Sequence, residues 1–294
     1  MKIKRWTDDP KAFYQRALPY LMRNEAAHNL HIGVAATLLK APDRWDTYHL
    51  VTVEDEDEVR AVAFRTGTEY HLALSLVEGD DAQVGGILAK LADEFYGVYP
   101  DAPGVLGFND LAERFAVLWA ARSGGTYRLR MNQRVYEARQ LTPPQGVPGS
   151  MRLVTEDDRD LLIDWIRGFD RDAMPAPRPD DQVKATVDRY LAGKRDLRGL
   201  YLWEVARQPV SMAGYAGPTP NGMRILAVYT PPEQRKRGYA SAIVAALSQH
   251  LLDSGRRFCF LFTDLSNPTA NHIYQEIGYR PVIDSNMYDF VKHA

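Results

Sequence analysis

The sequence predicts an α+β protein: a mixed, mostly antiparallel sheet flanked by helices on both faces, built as two similar domains. Three observations predict it. The length of 294 residues exceeds one ordinary compact core. Short extended segments come in runs broken by single amphipathic helices, which is the order that builds α+β layers. Between residues 142 and 150 runs Thr-Pro-Pro-Gln-Gly-Val-Pro-Gly-Ser. Its prolines lack amide donors and its glycines loosen the backbone, so neither helix nor sheet continues through it. The expected division is therefore a domain over 1–142, a linker over 143–150 and a second domain over 151–294.

In the second half, Met151 to Val154 reads as a strand. Thr155 then caps a helix whose apolar residues Leu161, Leu162, Trp165, Ile166 and Phe169 recur at helical spacing. The proline-rich stretch from Arg171 to Asp181 reads as an exposed loop, either solvated or serving as a lid over a substrate. A helix over Gln182 to Leu191 follows. Gly199 to Val205, Val210 to Gly217 and Met223 to Thr230 form an antiparallel meander with turn residues between them. A helix from Gly238 to Asp253 ends at Ser254-Gly255, and Phe258 to Phe262 is a short apolar strand. A last helix, Pro268 to Ile277, stops at Gly278, and Tyr279 to Ile283 and Met287 to Val291 supply the final strands.

Composition excludes several classes. A formal net charge of -2 gives no general attraction to nucleic acid, so any basic site must be local. Cys259, the only cysteine, lies in Arg-Phe-Cys-Phe-Leu-Phe, where a thiol behaves as a small buried hydrophobe. The opening residues lack the apolar run of a signal peptide and no stretch is long enough to span a bilayer, so a cytoplasmic protein is expected. His28 and His31 lack companion ligands, so no metal is expected. The Gly-x-Ser-x-Gly elbow is absent. Arg237-Gly238-Tyr239 stands where a nucleotide hydrolase needs Gly-Lys followed by Ser or Thr.

The informative stretch is Val228-Tyr229-Thr230-Pro231-Pro232-Glu233-Gln234-Arg235-Lys236-Arg237-Gly238-Tyr239-Ala240-Ser241, between a predicted strand and a predicted helix. A helix amino terminus offers unpaired amides and the positive end of the peptide dipole, so a diphosphate can bind there. Gly238 lets that backbone approach closely and small Ala240 keeps the approach open. Arg235, Lys236 and Arg237 add cations that favour a polyanion.

Over residues 151 to 294 these features resemble the GNAT superfamily of acyl-CoA-dependent N-acetyltransferases. Its Arg/Gln-x-x-Gly-x-Gly/Ala hallmark is matched by Arg235, Gly238 and Ala240. A second match is Asn267-Pro268-Thr269-Ala270-Asn271-His272-Ile273-Tyr274-Gln275-Glu276-Ile277-Gly278-Tyr279. The resemblance implies a GNAT-like sheet, with acetyl-CoA as cosubstrate and no metal. It assigns pantetheine contacts to the backbone of Val228 and Thr230 and to Asn267, with Asn271 one turn further along the same face. Tyr229 and the run from Arg235 to Ser241 complete the cofactor site. Tyr274 falls where members place the phenol that protonates the departing thiolate, and Gly278-Tyr279 opens the strand that commonly lines the acceptor pocket. Many members carry a glutamate on the strand before the loop, but Met223 to Tyr229 holds none. Glu204 is the chosen general base, with Asp264 as the other carboxylate in reach of consideration.

The activity implied is transfer of an acetyl group to a primary amine of a small molecule or protein by direct attack. The alternative is a noncatalytic CoA-binding sensor or scaffold. A monomer or homodimer is expected, without nucleic-acid or membrane partners. Residues 60 to 140 repeat the order of elements, with Val77 to Gly85 spaced like Thr230 to Gly238 and Asn109 laid over Asn267. Ala82 then stands for Arg235, beside Asp80 and Asp81, which would cap a helix and repel a diphosphate. The first half is thus expected to be a degenerate copy without CoA binding.

Overall fold

The computed structural model describes residues 1–41, 45–173, 177–193 and 196–292. The chain divides into two compact units: 1–135 with 263–266 and 282–294, and 136–262 with 267–281.

The first unit begins with β1 (Lys2–Arg5), α1 (Pro10–Leu21) and α2 (Asn29–Lys40). It continues through β2 (Tyr48–Asp55), β3 (Glu58–Thr66), β4 (Leu72–Leu74), α3 (Asp81–Val98), β5 (Gly104–Phe108), α4 (Leu111–Ser123) and β6 (Thr126–Ala138). Strands β1 to β4 are antiparallel neighbours, and β4 runs parallel to β5 with α3 as the crossover. Strand side chains alternate between faces, and the core follows that alternation. Leu50, Val62 and Phe64 pack under α1 and α2. Val51, Val53, Ala61 and Ala63 pack under Ile87, Phe95, Phe115 and Trp119 of α3 and α4.

The second unit repeats this order: β7 (Ser150–Leu153), α5 (Arg159–Ala173), α6 (Asp180–Leu191), β8 (Arg198–Val205), β9 (Gln208–Ala216), β10 (Gly222–Tyr229), α7 (Tyr239–Asp253), β11 (Phe258–Asp264) and α8 (Pro268–Glu276). Leu200 and Leu202 face Trp165, Ile166 and Val187 of α5 and α6, whereas Tyr201 and Trp203 face Ile243 and Leu247 of α7. The mixed, mostly antiparallel sheet with helices on both faces is as expected, and so is the buried Cys259, whose thiol burial pushes up to about 12. Of the loop read over Arg171 to Asp181, residues 174–176 lie outside the described residues. Its ends are helical, belonging to α5 and α6.

Two expectations need correction. The final pair of strands is one strand, β12 (Arg280–Val291), and from Val282 onward it belongs to the first unit. The reason is its antiparallel pairing with β5, from Ser285↔Phe108 to Asp289↔Gly104. The segment 143–150 is also not a free linker. Val147 packs against the second unit's core, the Pro148 carbonyl accepts the Trp203 indole N–H at 2.9 Å, and the division between units falls earlier, at Tyr136.

His28 is a core histidine rather than a ligand. Its Nδ1 lies 2.9 Å from the Leu21 carbonyl and its Nε2 accepts the Leu76 amide at 3.1 Å. In the same unit, burial alone would raise the Glu54 carboxyl, but hydrogen bonds from Arg16, Lys4 and Thr52 outweigh it and hold the group down at about 2. A depressed carboxylate contributes stability above its ordinary range and loses it as pH falls toward its folded value. Denaturant titrations between pH 7 and pH 2 should therefore show stability falling below about pH 4.5, the upper edge of the ordinary carboxylate range. Glu54→Gln should flatten that part of the curve.

Candidate functional site

The site sits where β10 gives way to α7. Strand β10 pairs in parallel with β11 only from Gly222↔Phe258 to Arg224↔Phe260, then continues to Tyr229 without that partner. On its other side it stays on β9, but the register shifts between Leu226 and Tyr229, and Ala227 takes a positive φ of 51° at this bulge. Ser211, fully buried, fixes the end of the strand. Its Oγ donates to the Tyr229 carbonyl at 3.0 Å and receives the Thr230 hydroxyl at 2.8 Å. Beyond Arg224, β10 thus presents one backbone edge toward a diverging β11, the geometry in which an extended ligand can supply the missing hydrogen bonds.

The chain next turns through a short 3-10 segment, Pro232–Gln234, and reaches α7 through left-handed Lys236 (φ 63°) and Gly238 (φ 79°). Gly238 is the N-cap residue and brings no side chain to the helix amides. Among the described residues no acceptor meets the amides of Tyr239, Ala240 and Ser241. Arg235, Lys236 and Arg237 are exposed beside them. Lys236 and Arg237 enter no ion pair among the described residues, while Arg235 donates to the Thr230 carbonyl at 3.0 Å and pairs with Asp172 of α5. A second reason for the glycine also emerges: a Cβ on Gly238 would lie 2.8 Å from Val147.

The remaining expected residues separate into those brought together and those diverted. Val228 and Tyr274 share one apolar cluster with Ala270 and Ile273. The Tyr274 hydroxyl has no hydrogen-bond partner among the described residues, and burial pushes it up to about 12. Asn267 caps α8, its Oδ1 accepting the Ala270 amide at 3.0 Å, and among the described residues its side-chain N–H groups meet no acceptor. Asn271 accepts the Tyr136 hydroxyl at 2.9 Å, a fixing contact that the sequence did not reveal.

The Tyr229 ring turns toward α5, packing on Trp165 and occupying the space left by Gly168. The Tyr239 ring lies in the core, leaving only its amide for the site. Tyr279 is likewise a core residue, hydrogen-bonded to Ser248 at 2.7 Å.

Glu204 is diverted as well. Its Oε1 accepts Arg152 at 2.6 Å, and Arg152 also makes two 2.7 Å bonds to Asp158. These bonds hold Asp158 below the usual carboxylate range, against the opposing effect of its burial. The Glu204–Arg152 pair ties β8 to β7, and the carboxylate is engaged there rather than free. Asp264, the other carboxylate considered, falls in the first unit, where its Oδ1 accepts the Ser266 amide at 2.7 Å.

The first unit's corresponding helix start is closed. Asp80 caps α3 by accepting the Gln83 amide at 2.8 Å, and the Gln83 side chain accepts the Asp80 amide at 2.9 Å. The structural counterpart of Gly238 is thus Asp80, not Gly85, which lies inside α3.

Residues 205–288 match the family described as FR47-like protein. No curated protein sequence matches the chain. Among solved structures, a GCN5-related N-acetyltransferase from Sphaerobacter thermophilus is similar at 18% identity and TM-score 0.62, covering 98% of this chain and 95% of that one. A GNAT-family acetyltransferase from Colwellia psychrerythraea is similar at 11% identity and TM-score 0.58, with both chains fully covered. A GCN5-related N-acetyltransferase from Kribbella flavida gives 16% identity and TM-score 0.52, over 87% of this chain and 93% of that one. With its FR47-like stretch carrying the β10–α7 loop and its sheet, crossover helices and bulged strand arranged as described, the chain is a protein of the GNAT fold.

Proposed function

We propose that the second unit binds acetyl-CoA and transfers its acetyl group to an amine. The observation that carries this reading is the open start of α7: unpaired amides of Tyr239, Ala240 and Ser241, no capping side chain, and three cationic residues alongside. Amides at the positive end of a helix satisfy phosphate oxygens without reorganising, and nearby guanidinium and ammonium groups add charge-assisted bonds. In this reading the diphosphate sits there and the pantetheine arm follows the free edge of β10 past Val228 and Thr230. Asn267 donates its side-chain amide to the arm.

The thioester then lies by Tyr274. Attack by the amine nitrogen on the carbonyl carbon builds an oxyanion that backbone donors along β10 stabilise. Collapse breaks the C–S bond, and the Tyr274 hydroxyl gives its proton to the sulfur. A phenol raised to about 12 stays protonated across the working range, as an acid must. The acceptor is a small-molecule amine or a protein amino group that attacks in its neutral form; the proton its nitrogen carries into the adduct is lost to water, and the Tyr274 phenolate takes a proton back from solvent. The engagement of Glu204 by Arg152 favours a second reading, a noncatalytic CoA-binding protein, because the carboxylate chosen as base is occupied. The capping box of α3 supports the first unit as a partner without CoA binding.

Calorimetry tests the cofactor site. Lys236→Glu with Arg237→Glu, both exposed and without ion pairs among the described residues, should weaken CoA binding about 10-fold or more, roughly 1.4 kcal/mol. The loss should shrink as salt is raised. An unchanged affinity excludes the loop as the anchor. Tyr274→Phe should lower kcat by about 100-fold, within the range for a lost general acid, with little change in acetyl-CoA affinity. The wild-type alkaline limb should show no break attributable to Tyr274 below about pH 10, since the neutral phenol persists there. Tight CoA binding with no acetyl transfer across a broad amine panel would select the noncatalytic reading.

A further inference from the structure

On the face of the sheet covered by α5 and α6, Arg198, Ala216 and Arg224 form one row across β8, β9 and β10, as directly paired residues. Directly opposed residues point to the same face, so two arginines stand about 10 Å apart at the backbone with only a methyl group between them. Neither meets a carboxylate among the described residues. The Arg224 Nε is buried with no acceptor, and its Nη2 lies against the left-handed turn at Gly217. Burial pulls the Arg224 guanidinium below its ordinary value, with only the Tyr190 hydroxyl opposing it.

Tyr190 of α6 lies over this row. Its hydroxyl would sit 3.4 Å from a Cβ on Gly214 and has no hydrogen-bond partner among the described residues. Burial pushes it up to about 12 against the opposing pull of Arg224, Arg178, Arg198 and Arg189. Of these, Arg178 is satisfied by fully buried Asp170 at 2.6 and 2.9 Å and by Thr186 at 3.1 Å. A buried cationic donor without an acceptor is costly to maintain, and an oxyanion bound side-on to Nε and Nη2 removes that cost.

We infer that Arg224 and Arg198, with the Tyr190 hydroxyl, form an anion subsite that takes the carboxylate or phosphate end of the acceptor. The inference rests on the acetyl-transfer reading for the word acceptor, but the anion site stands on its own geometry. Arg224 precedes the bulged Ala227 by three residues on the same strand, about 10 Å. The acceptor it fits is therefore an extended molecule with an amine at one end and an oxyanion at the other.

The full chain is titrated with succinate and, separately, with inorganic phosphate at constant ionic strength, followed by calorimetry. Acetylation is then measured for linear amines of equal length ending in carboxylate, phosphate or carboxamide. Binding of at least one anion probe is expected, weakened 10-fold or more by Arg224→Met and partly by Arg198→Gln, with CoA affinity unchanged. The better-bound terminus identifies the group, and kcat/KM for that amine should exceed the carboxamide's 10-fold or more through KM, a preference that Arg224→Met abolishes. If Arg224→Met fails to fold by circular dichroism, Arg198→Gln and Arg224→Lys give the same readouts. No binding of either probe by the wild type, or binding and preference untouched by these variants, overturns the proposal. Anion binding that is lost in Arg224→Met while no amine is acetylated supports the subsite and removes the transfer reading instead.

Discussion

The peptide amides that open α7 govern the rest of the second unit. A helix start ordinarily closes on a serine, threonine or aspartate, and the first unit shows that solution at Asp80. In the second unit the chain instead arrives through left-handed glycine, and among the described residues these donors meet no acceptor. Leaving them open only makes sense if the elements around them hold still. Ser211 fixes the end of β10, Val147 packs against Gly238, and Arg235 is drawn to Thr230 and Asp172. The same arginine expected to serve a polyanion is thus already engaged. A phosphate arriving there competes with Asp172, a surface pair worth little in water and easily exchanged for a stronger charge-assisted bond.

Much of this was legible in the residues. Regular apolar spacing located the helices of the second half to within a few positions, and β10 and α7 bracket the basic loop where alternation and the Ser254-Gly255 stop placed them. Local patterns carry local structure, so the loop, its glycine and the asparagine cap of α8 could be read directly. The start of α3 could have been read better. Asp80 followed by Gln83 is a capping-box signature, and it outranks the residue counting that set Gly85 against Gly238.

Long-range pairings were not legible. Nothing near Glu204 announces Arg152, which lies 52 residues earlier and claims the carboxylate only because β7 adds to the edge of β8. Arg224 is one position of the strand read over Met223 to Thr230, and its row with Ala216 and Arg198 follows only from the register of β8, β9 and β10. The turn of Tyr229 toward Trp165 depends on the bulge at Ala227, which reverses the facing of the last strand residues. Each of these features is a property of register, and register is decided by partners distant along the chain.

The pairing of β12 with β5 has a consequence for how the protein is made. A ribosome releases the first 135 residues well before Ser285 to Asp289 exist, so β5 must wait with its edge bare while the whole of the second unit is synthesised. Vectorial folding of the first unit is therefore incomplete until Ser285 to Asp289 have been made. During that interval an exposed edge strand is open to pairing with other nascent chains.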